Sequence, residues 1–283
     1  MQVFDRRAVR LHRDRAAARL PRVADLLRDC AERLIERLDD VVKERHFVRA
    51  LDIGGRGAVA PLLRARGIEV VSIDSSPRMA AASGGTVVAA DEEWLPFAPA
   101  SFDLVVASLS LHWVNDLPGA LIQLRQALLP DGLLLASVPV LGTLQTLRDA
   151  LTQAESEVSG GVAPRVSPFP DLRDCASLLQ RAGYALPVVD REDISLAYAD
   201  AVSLIRDLRA AGEQNALLSR DKRVPSRALF ASALGRMASS EDGRVPVALR
   251  LAMMTAWAPH PSQPKPLPRG SGTVSLRDAL ESG

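Results

Sequence analysis

The chain is 283 residues long, 47% hydrophobic and 24% charged, with 35 basic and 34 acidic side chains that leave a net charge of +1. That composition belongs to a water-soluble chain with a sizeable core and excludes global disorder, collagen and coiled coil, while the length suits two domains or one α/β domain with additions. Three lysines, Lys43, Lys222 and Lys265, stand against 32 arginines, a skew that points to a GC-rich bacterial genome and not to a nucleic-acid-binding patch.

In chain order, residues 8–45 read as helical, with Val23, Leu26, Leu27, Leu34, Ile35 and Leu38 recurring at three- and four-residue spacing and Pro21 interrupting once. The period then changes. Residues 46–53 read as a short buried strand ending in glycines, 58–66 as a helix and 68–74 as a second strand rich in β-branched residues. A short helix at 77–82, strands at 86–90 and 102–107, a helix at 117–129 and a strand at 133–138 continue the alternation. Strands alternating with helices predict βαβ crossovers and a parallel sheet covered on both faces. The 117–129 helix shows one apolar stripe, Leu117, Leu121, Leu124 and Leu128, and Pro130-Asp131-Gly132 supplies the turn that stops it. Beyond it come a helix at 143–158, a Gly/Pro-rich stretch at 160–170, a helix at 172–182 and a strand at 186–190. Helices at 199–211 and 226–237 and an apolar run at 247–257 complete the ordered part. Five prolines within 259–268 predict an extended tail.

Charge divides the chain further. Residues 1–50 carry 13 basic and 9 acidic side chains, residues 51–150 carry 6 and 10, so a basic arm precedes an acidic half. Cys30 and Cys175 are too few and too far apart for a disulfide framework or a zinc site, which points to a reducing cytoplasm. No apolar run reaches the roughly 18 to 20 residues of a membrane span, and the Arg-rich start lacks the apolar core of a secretory signal. Asp5 and Asp14 interrupt the basic face that a transit peptide keeps. The expected division is a helical arm at 1–45, an α/β domain at 46–258 with a helical cap at about 198–240, and a Pro-rich tail at 259–283.

In open α/β sheets, ligands bind where parallel strands end. The first strand end is Leu51-Asp52-Ile53-Gly54-Gly55-Arg56-Gly57, where glycines allow close backbone approach beside an acid. The second is Asp74, about 20 residues on, the distance at which nucleotide-binding folds place an acid on ribose hydroxyls, although Asp74 taken alone also fits a helix N-cap. The third is Asp91-Glu92 before Trp94-Leu95-Pro96-Phe97, an acceptor pair beside an apolar wall that suits adenine. Three such ends in register predict a nucleoside ligand. The G-x-G-x-x-G spacing of a dinucleotide cradle is absent.

The series Asp52-x-Gly54, Asp74, Ala90-Asp91-Glu92-x-x-Leu95-Pro96-Phe97, Ser101-Phe102-Asp103-Leu104-Val105-Val106 and Leu129-Pro130-Asp131-Gly132 resembles the class I S-adenosylmethionine-dependent methyltransferase superfamily. More narrowly, the run from Ser108 to Pro118 (SLSLHWVNDLP), Ser167-Pro168-Phe169, Glu241-Asp242-Gly243, the tail from Ser262 to Ser271 and the Phe4-Asp5-Arg6 start resemble the mitochondrial complex I assembly factor 5 family and its bacterial relatives. The resemblance implies a Rossmann-like seven-stranded α/β sheet whose last strand, 247–257, is antiparallel, with a helical cap inserted before it. It implies S-adenosyl-L-methionine as cofactor: Gly54, Gly55 and Gly57 facing its methionine part, Asp52 near the amino group, Asp74 on the ribose, Asp91 and Glu92 flanking the adenine, and Ser108 bordering the transfer site. Family members are described as hydroxylating an arginine of a complex I subunit, so a respiratory-chain protein is the implied partner.

One departure stands out. The family turn D-x-G-x-G-x-G is here one residue short and contains Arg56, whose guanidinium would repel a sulfonium unless it points outward. For catalysis, His112 follows the fourth strand as a candidate base, and Asn115 fits a substrate amide contact or the cap of the following helix. His12-Arg13-Asp14 attracts attention as part of a two-His-one-carboxylate iron site, but residues two apart on a helix do not share a face, so no metal is predicted. Three functions remain open: an enzyme modifying a protein arginine, a methyltransferase for a small molecule or acyl carrier protein like the biotin-pathway enzyme, and a non-catalytic assembly chaperone.

Overall fold

Seven strands make one sheet in a computed structural model that describes residues 2–41, 45–237, 240, 243–264, 271 and 275. Glu241 and Asp242, and most of the tail beyond residue 264, lie outside the described residues. The N-terminal segment folds as α1 (Arg6–Ala16), a 3-10 turn at Ala17–Arg22 that accommodates Pro21, α2 (Ala24–Ile35) and α3 (Arg37–Val41). Then follow β1 (Arg49–Ile53), α4 (Val59–Ala65), β2 (Glu69–Asp74), α5 (Pro77–Ala81), β3 (Thr86–Ala89) and β4 (Phe102–Ser108). The chain continues through α6 (Leu117–Ala127), β5 (Leu128–Pro139), α7 (Gln145–Ser159), α8 (Leu172–Arg181), β6 (Ala185–Tyr198), α9 (Ala201–Ala211), α10 (Arg227–Gly235) and β7 (Val245–Trp257).

The strand order is β3-β2-β1-β4-β5-β7-β6. β1 to β5 run parallel, and β7 is antiparallel to both neighbours, as the resemblance implies. Because side chains alternate along each strand, Ala50, Val70, Leu104 and Leu133 enter one apolar layer and Leu51, Val71, Val105 and Leu134 the other. α2 and α4 cover the first layer and α6 and α8 the second. Residues 1–45 thus contribute buried Leu27, Cys30, Ala31 and Leu34 to the main core.

Beyond small shifts at element ends, such as β1 beginning at Arg49 and not at 46, two boundaries differ from the sequence pattern. The expected turn at Pro130-Asp131-Gly132 is an irregularity inside β5: the helix ends at Ala127, Asp131 takes φ +64°, and the register with β4 shifts between Phe102 and Leu104. The expected strand at 186–190 runs on to Tyr198, because β6 keeps pairing with β7 from Asp193 and Arg250 to Tyr198 and Val245, past the last partner of β5 at Leu251. This two-stranded ribbon is the floor on which α7, α9 and α10 pack around Leu147, Leu151, Leu204, Leu229, Ala233 and Val247. Among the described residues no helix is long and apolar enough to cross a membrane.

Candidate active site

The sheet reverses its winding between β1 and β4, which opens the crevice where α/β folds bind ligands. Asp52, next to the end of β1, is fully buried and accepts from Ser72 Oγ at 2.9 Å, while its other oxygen, Oδ1, has no partner. A Cβ at position 55 would lie 2.2 Å from that oxygen, so only glycine fits beside the acid. Gly57 turns with φ +78°, and a Cβ there would lie 2.6 Å from the Ala82 carbonyl. Burial pushes the Asp52 carboxyl up to about 7, with the Ser72 hydrogen bond working the other way.

The acids at the next two strand ends are also buried, and arginines of α1 hold them. Arg13, 1% exposed, donates from Nη1 to Asp74 Oδ2 at 3.0 Å and to Glu92 Oε1 at 2.8 Å. Its Nη1 lies 3.3 Å from where a Gly54 Cβ would stand, so the guanidinium sits directly beside the glycine turn. Its Nη2 has no partner. Arg6 reaches Asp91 Oδ1 at 2.6 Å, also bonds Glu92, and donates to the Trp113 carbonyl at 2.9 Å. Burial works against the charge on Glu92, but Arg13 and Arg6 overcome it and hold its carboxyl below the usual range. Asp74 goes the other way, raised by burial despite Arg13. The basic arm thus docks on the acidic half through buried ion pairs.

Asp74 does not cap α5. Ser76 does, accepting from Met79 N–H, while Asp74 Oδ1 accepts from Ser76 N–H at 2.8 Å. A carboxylate offers about four acceptor positions, so two remain on Asp74 after Arg13 and Ser76. The apolar wall expected after Glu92 is divided: Leu95 and Phe97 pack into the core, Phe97 edge-on to Phe102 at 5.1 Å, whereas Trp94 is 79% exposed.

Arg56 adopts φ +51° and carries its guanidinium to the Leu109 carbonyl at 2.6 Å and to Glu213 Oε1 at 2.5 Å. Its charge is therefore balanced by a carboxylate of its own. Glu213, which follows α9, carries no motif that marks it in the sequence. Gly212, at φ +81°, closes that helix with the bonds Gly212 N–H to Arg209 O and Glu213 N–H to Leu208 O, a Schellman ending that turns Glu213 toward the strand ends. There Glu213 Oε2 accepts from Trp113 Nε1 at 2.7 Å and stands 2.8 Å from His112 Nε2. Burial opposes its charge, yet His112 and Arg56 hold its carboxyl far below the ordinary value. An ionised carboxylate only accepts, so His112 Nε2 carries the hydrogen toward Glu213. Nδ1 is buried and has no partner.

Asn115 faces the N-terminus. Its Oδ1 accepts from Val3 and Phe4 N–H at 2.7 and 2.8 Å, and its Nδ2 donates to the Phe4 carbonyl; the cap of α6 is Asp116. Ser108, 6% exposed, ends β4, and nearby Ser110 is fully buried with Oγ unpartnered. His12 lines a cavity beneath α9, whereas Asp14 accepts from Ser76 Oγ beside α5, so the two do not converge. Among the described residues no three His, Cys, Asp or Glu side chains stand together as a metal site.

Residues 51–136 match the family model described as a methyltransferase domain. Over its whole length the chain is 39% identical to a protein of Danio rerio named arginine-hydroxylase NDUFAF5, mitochondrial, covering 91% of it. It is 34% identical to a malonyl-[acyl-carrier protein] O-methyltransferase of Methylovorus sp., across 99% of this chain and 97% of that protein. The fold is similar to the crystal structure of the YcgJ protein of Bacillus subtilis, with TM-score 0.56 at 13% identity over 81% of this chain and 99% of that one.

Proposed function

The chain belongs to the NDUFAF5 family of methyltransferase-fold proteins, and on that premise we propose that it is an S-adenosylmethionine-binding enzyme that modifies an arginine of a respiratory complex I subunit in the bacterial cytoplasm. The observation that carries the cofactor is the pair of unsatisfied buried groups flanking the glycine turn, Asp52 Oδ1 and Arg13 Nη2. An unpartnered acceptor on an acid and an unpartnered donor nitrogen on a guanidinium match the ammonium and carboxylate of an amino-acid zwitterion. The two free acceptor positions of Asp74 match two ribose hydroxyls, and Asp91, the more exposed of its acidic pair, matches an adenine amino group. When bound, S-adenosylmethionine supplies a methyl group on a sulfonium. Arg56 does not oppose that cation, since Glu213 neutralises it.

His112 is then the proton acceptor, oriented by Glu213 and bordering the transfer site with Ser108. Asp74, Glu92 and Gly54 lie buried against Arg13 of α1, so ligand entry requires that helix to lift from the strand ends. Asn115 acts here by fastening residues 3 and 4, and through them α1, over the site. Its catalytic role is indirect.

Two measurements test the reading. Titration with S-adenosylhomocysteine gives saturable heat that weakens below about pH 7, because Asp52 must ionise to receive the ammonium; no heat and no thermal shift at millimolar ligand overturns the cofactor. Mass spectrometry of complex I subunits from a strain lacking the protein shows an oxygen missing from one arginine. A methyl group missing from another molecule favours the carrier-protein reading, which the similarity to the Methylovorus enzyme supports. An unmodified but unassembled complex favours a chaperone.

A further inference from the structure

Between the β6–β7 ribbon and helices α7, α9 and α10 lies a cavity of about 480 Å³ whose apolar body none of the roles above uses. Its volume falls within the range that encloses most of a small organic ligand. Leu147, Leu204, Phe230, Val247 and, from α2, Leu27 form its body. Arg56, His112 and Glu213 form one end, which places that end at the switch point of the sheet. Val224, 93% exposed, belongs to the lining as well, so the cavity reaches the surface there.

Two features select the occupant. The body offers almost no hydrogen-bonding partner, so a polar chain entering it loses its water uncompensated, whereas an alkyl chain gains from burial. At the polar end the arginines are paired, Arg56 with Glu213, Arg165 with Glu155, Arg220 with Asp5 and Arg223 with Asp221, so an anionic or carbonyl head is selected by hydrogen-bond donors left unused and not by net charge. Arg56 Nε and Ser167 Oγ, both in the wall, are buried without partners and can donate to such a head.

We propose that this cavity binds one fatty acyl chain, its carboxylate or thioester carbonyl beside Arg56 and its tail among Leu147, Leu204 and Phe230. The cavity shares only its polar end, at His112 and Glu213, with the proposed reaction, and it does not depend on the cofactor, since Asp74 and Glu92 lie outside its lining.

The test is calorimetric titration of the full chain with dodecanoate, dodecanoyl-pantetheine and dodecanol, on the native protein and on Leu204→Trp, which fills the body. Leu147→Trp is the second filler should the first fail to melt cooperatively. Expected are saturable one-to-one binding of an acyl compound, a loss of about tenfold or more in the filled variant, and dodecanol weaker by about tenfold. Binding of the free acid alone identifies a fatty acid as the source, and binding of the thioester alone a carrier-bound acyl group. No saturable binding, equal binding in both fillers, or equal binding of dodecanol overturns the proposal. S-adenosylhomocysteine titrated into the same samples separates the outcomes: heat retained while acyl binding fails leaves the proposed function standing, and the reverse result leaves the acyl site standing alone.

Discussion

The carboxyl ends of the strands and the space beneath the cap adjoin at Arg56 and His112, yet they are built on opposite principles. The strand ends are a dense polar cluster in which Asp52, Asp74 and Glu92 are almost fully buried and two of the three are held by an arginine of α1. Helices α7, α9 and α10 enclose apolar space bounded by leucines, with paired charges at its inner end and its rim. Buried ions demand defined partners at defined angles, so the first region is rigid and selective for a ligand that replaces those partners. Apolar walls demand only area, so the second tolerates a range of chains. Glu213 joins them, because it balances Arg56 and orients His112 at their common boundary.

The largest expected effect comes from removing the ion that seals the polar region. Arg13→Met strands Asp74 and leaves Glu92 with Arg6 alone, and it should cost about 3–5 kcal/mol in urea unfolding. A loss below about 1 kcal/mol would mean that α1 is not the seal. Next is the shared boundary. Glu213→Gln keeps the shape but removes the charge opposite Arg56, lowering stability by about 2–3 kcal/mol and, once an assay exists, turnover by about a hundredfold or more. Should turnover survive, His112 is not oriented from this side.

Asp52 sharpens the contrast through pH. Burial raises its folded carboxyl to about 7, above the unfolded value, so the folded state keeps the proton between those values. Its stabilising contribution is fully present below the unfolded value and is lost as pH rises through about 7. Asp52→Asn should therefore gain roughly 2 kcal/mol relative to the native chain between pH 5 and pH 8, read from denaturant midpoints at each pH; parallel pH curves for the two proteins refute the buried charge. The smallest effect belongs outside both regions. Trp94→Ala should change stability by no more than about 0.5 kcal/mol and leave S-adenosylhomocysteine affinity unaltered, because Trp94 faces solvent and not the adenine side.

Much of the site was legible because its signals are local. Acids and glycines at successive strand ends are adjacent in sequence to the strands that carry them, and the hydrophobic period identifies those strands. Gly55 is dictated by Asp52 three residues before it, and Gly57 by Ala82, which ends α5 in the next crossover. Arg13 left a fainter trace: it shares the buried face of α1 with Val9 and Ala16, an arginine where the spacing calls for an apolar residue. Glu213 left less, only a glycine before it to end a helix. Neither could be matched with its partners, since Asp74 and Glu92 are 61 and 79 positions from Arg13, and His112 is 101 from Glu213.

The sequence by itself determined the alternation of strands and helices, the acids at the strand ends and the shortened glycine turn, because each depends on residues a few positions apart and on steric or hydrophobic preferences of single side chains. Only the tertiary structure decided what those groups face. It placed Arg13 on Asp74 and Glu92, turned Arg56 to Glu213, extended β6 into a ribbon and left an apolar space beneath α7, α9 and α10. Those outcomes depend on which distant segments pack together, and the pairing of buried charges across such segments is a property of the assembled fold and not of any stretch of chain.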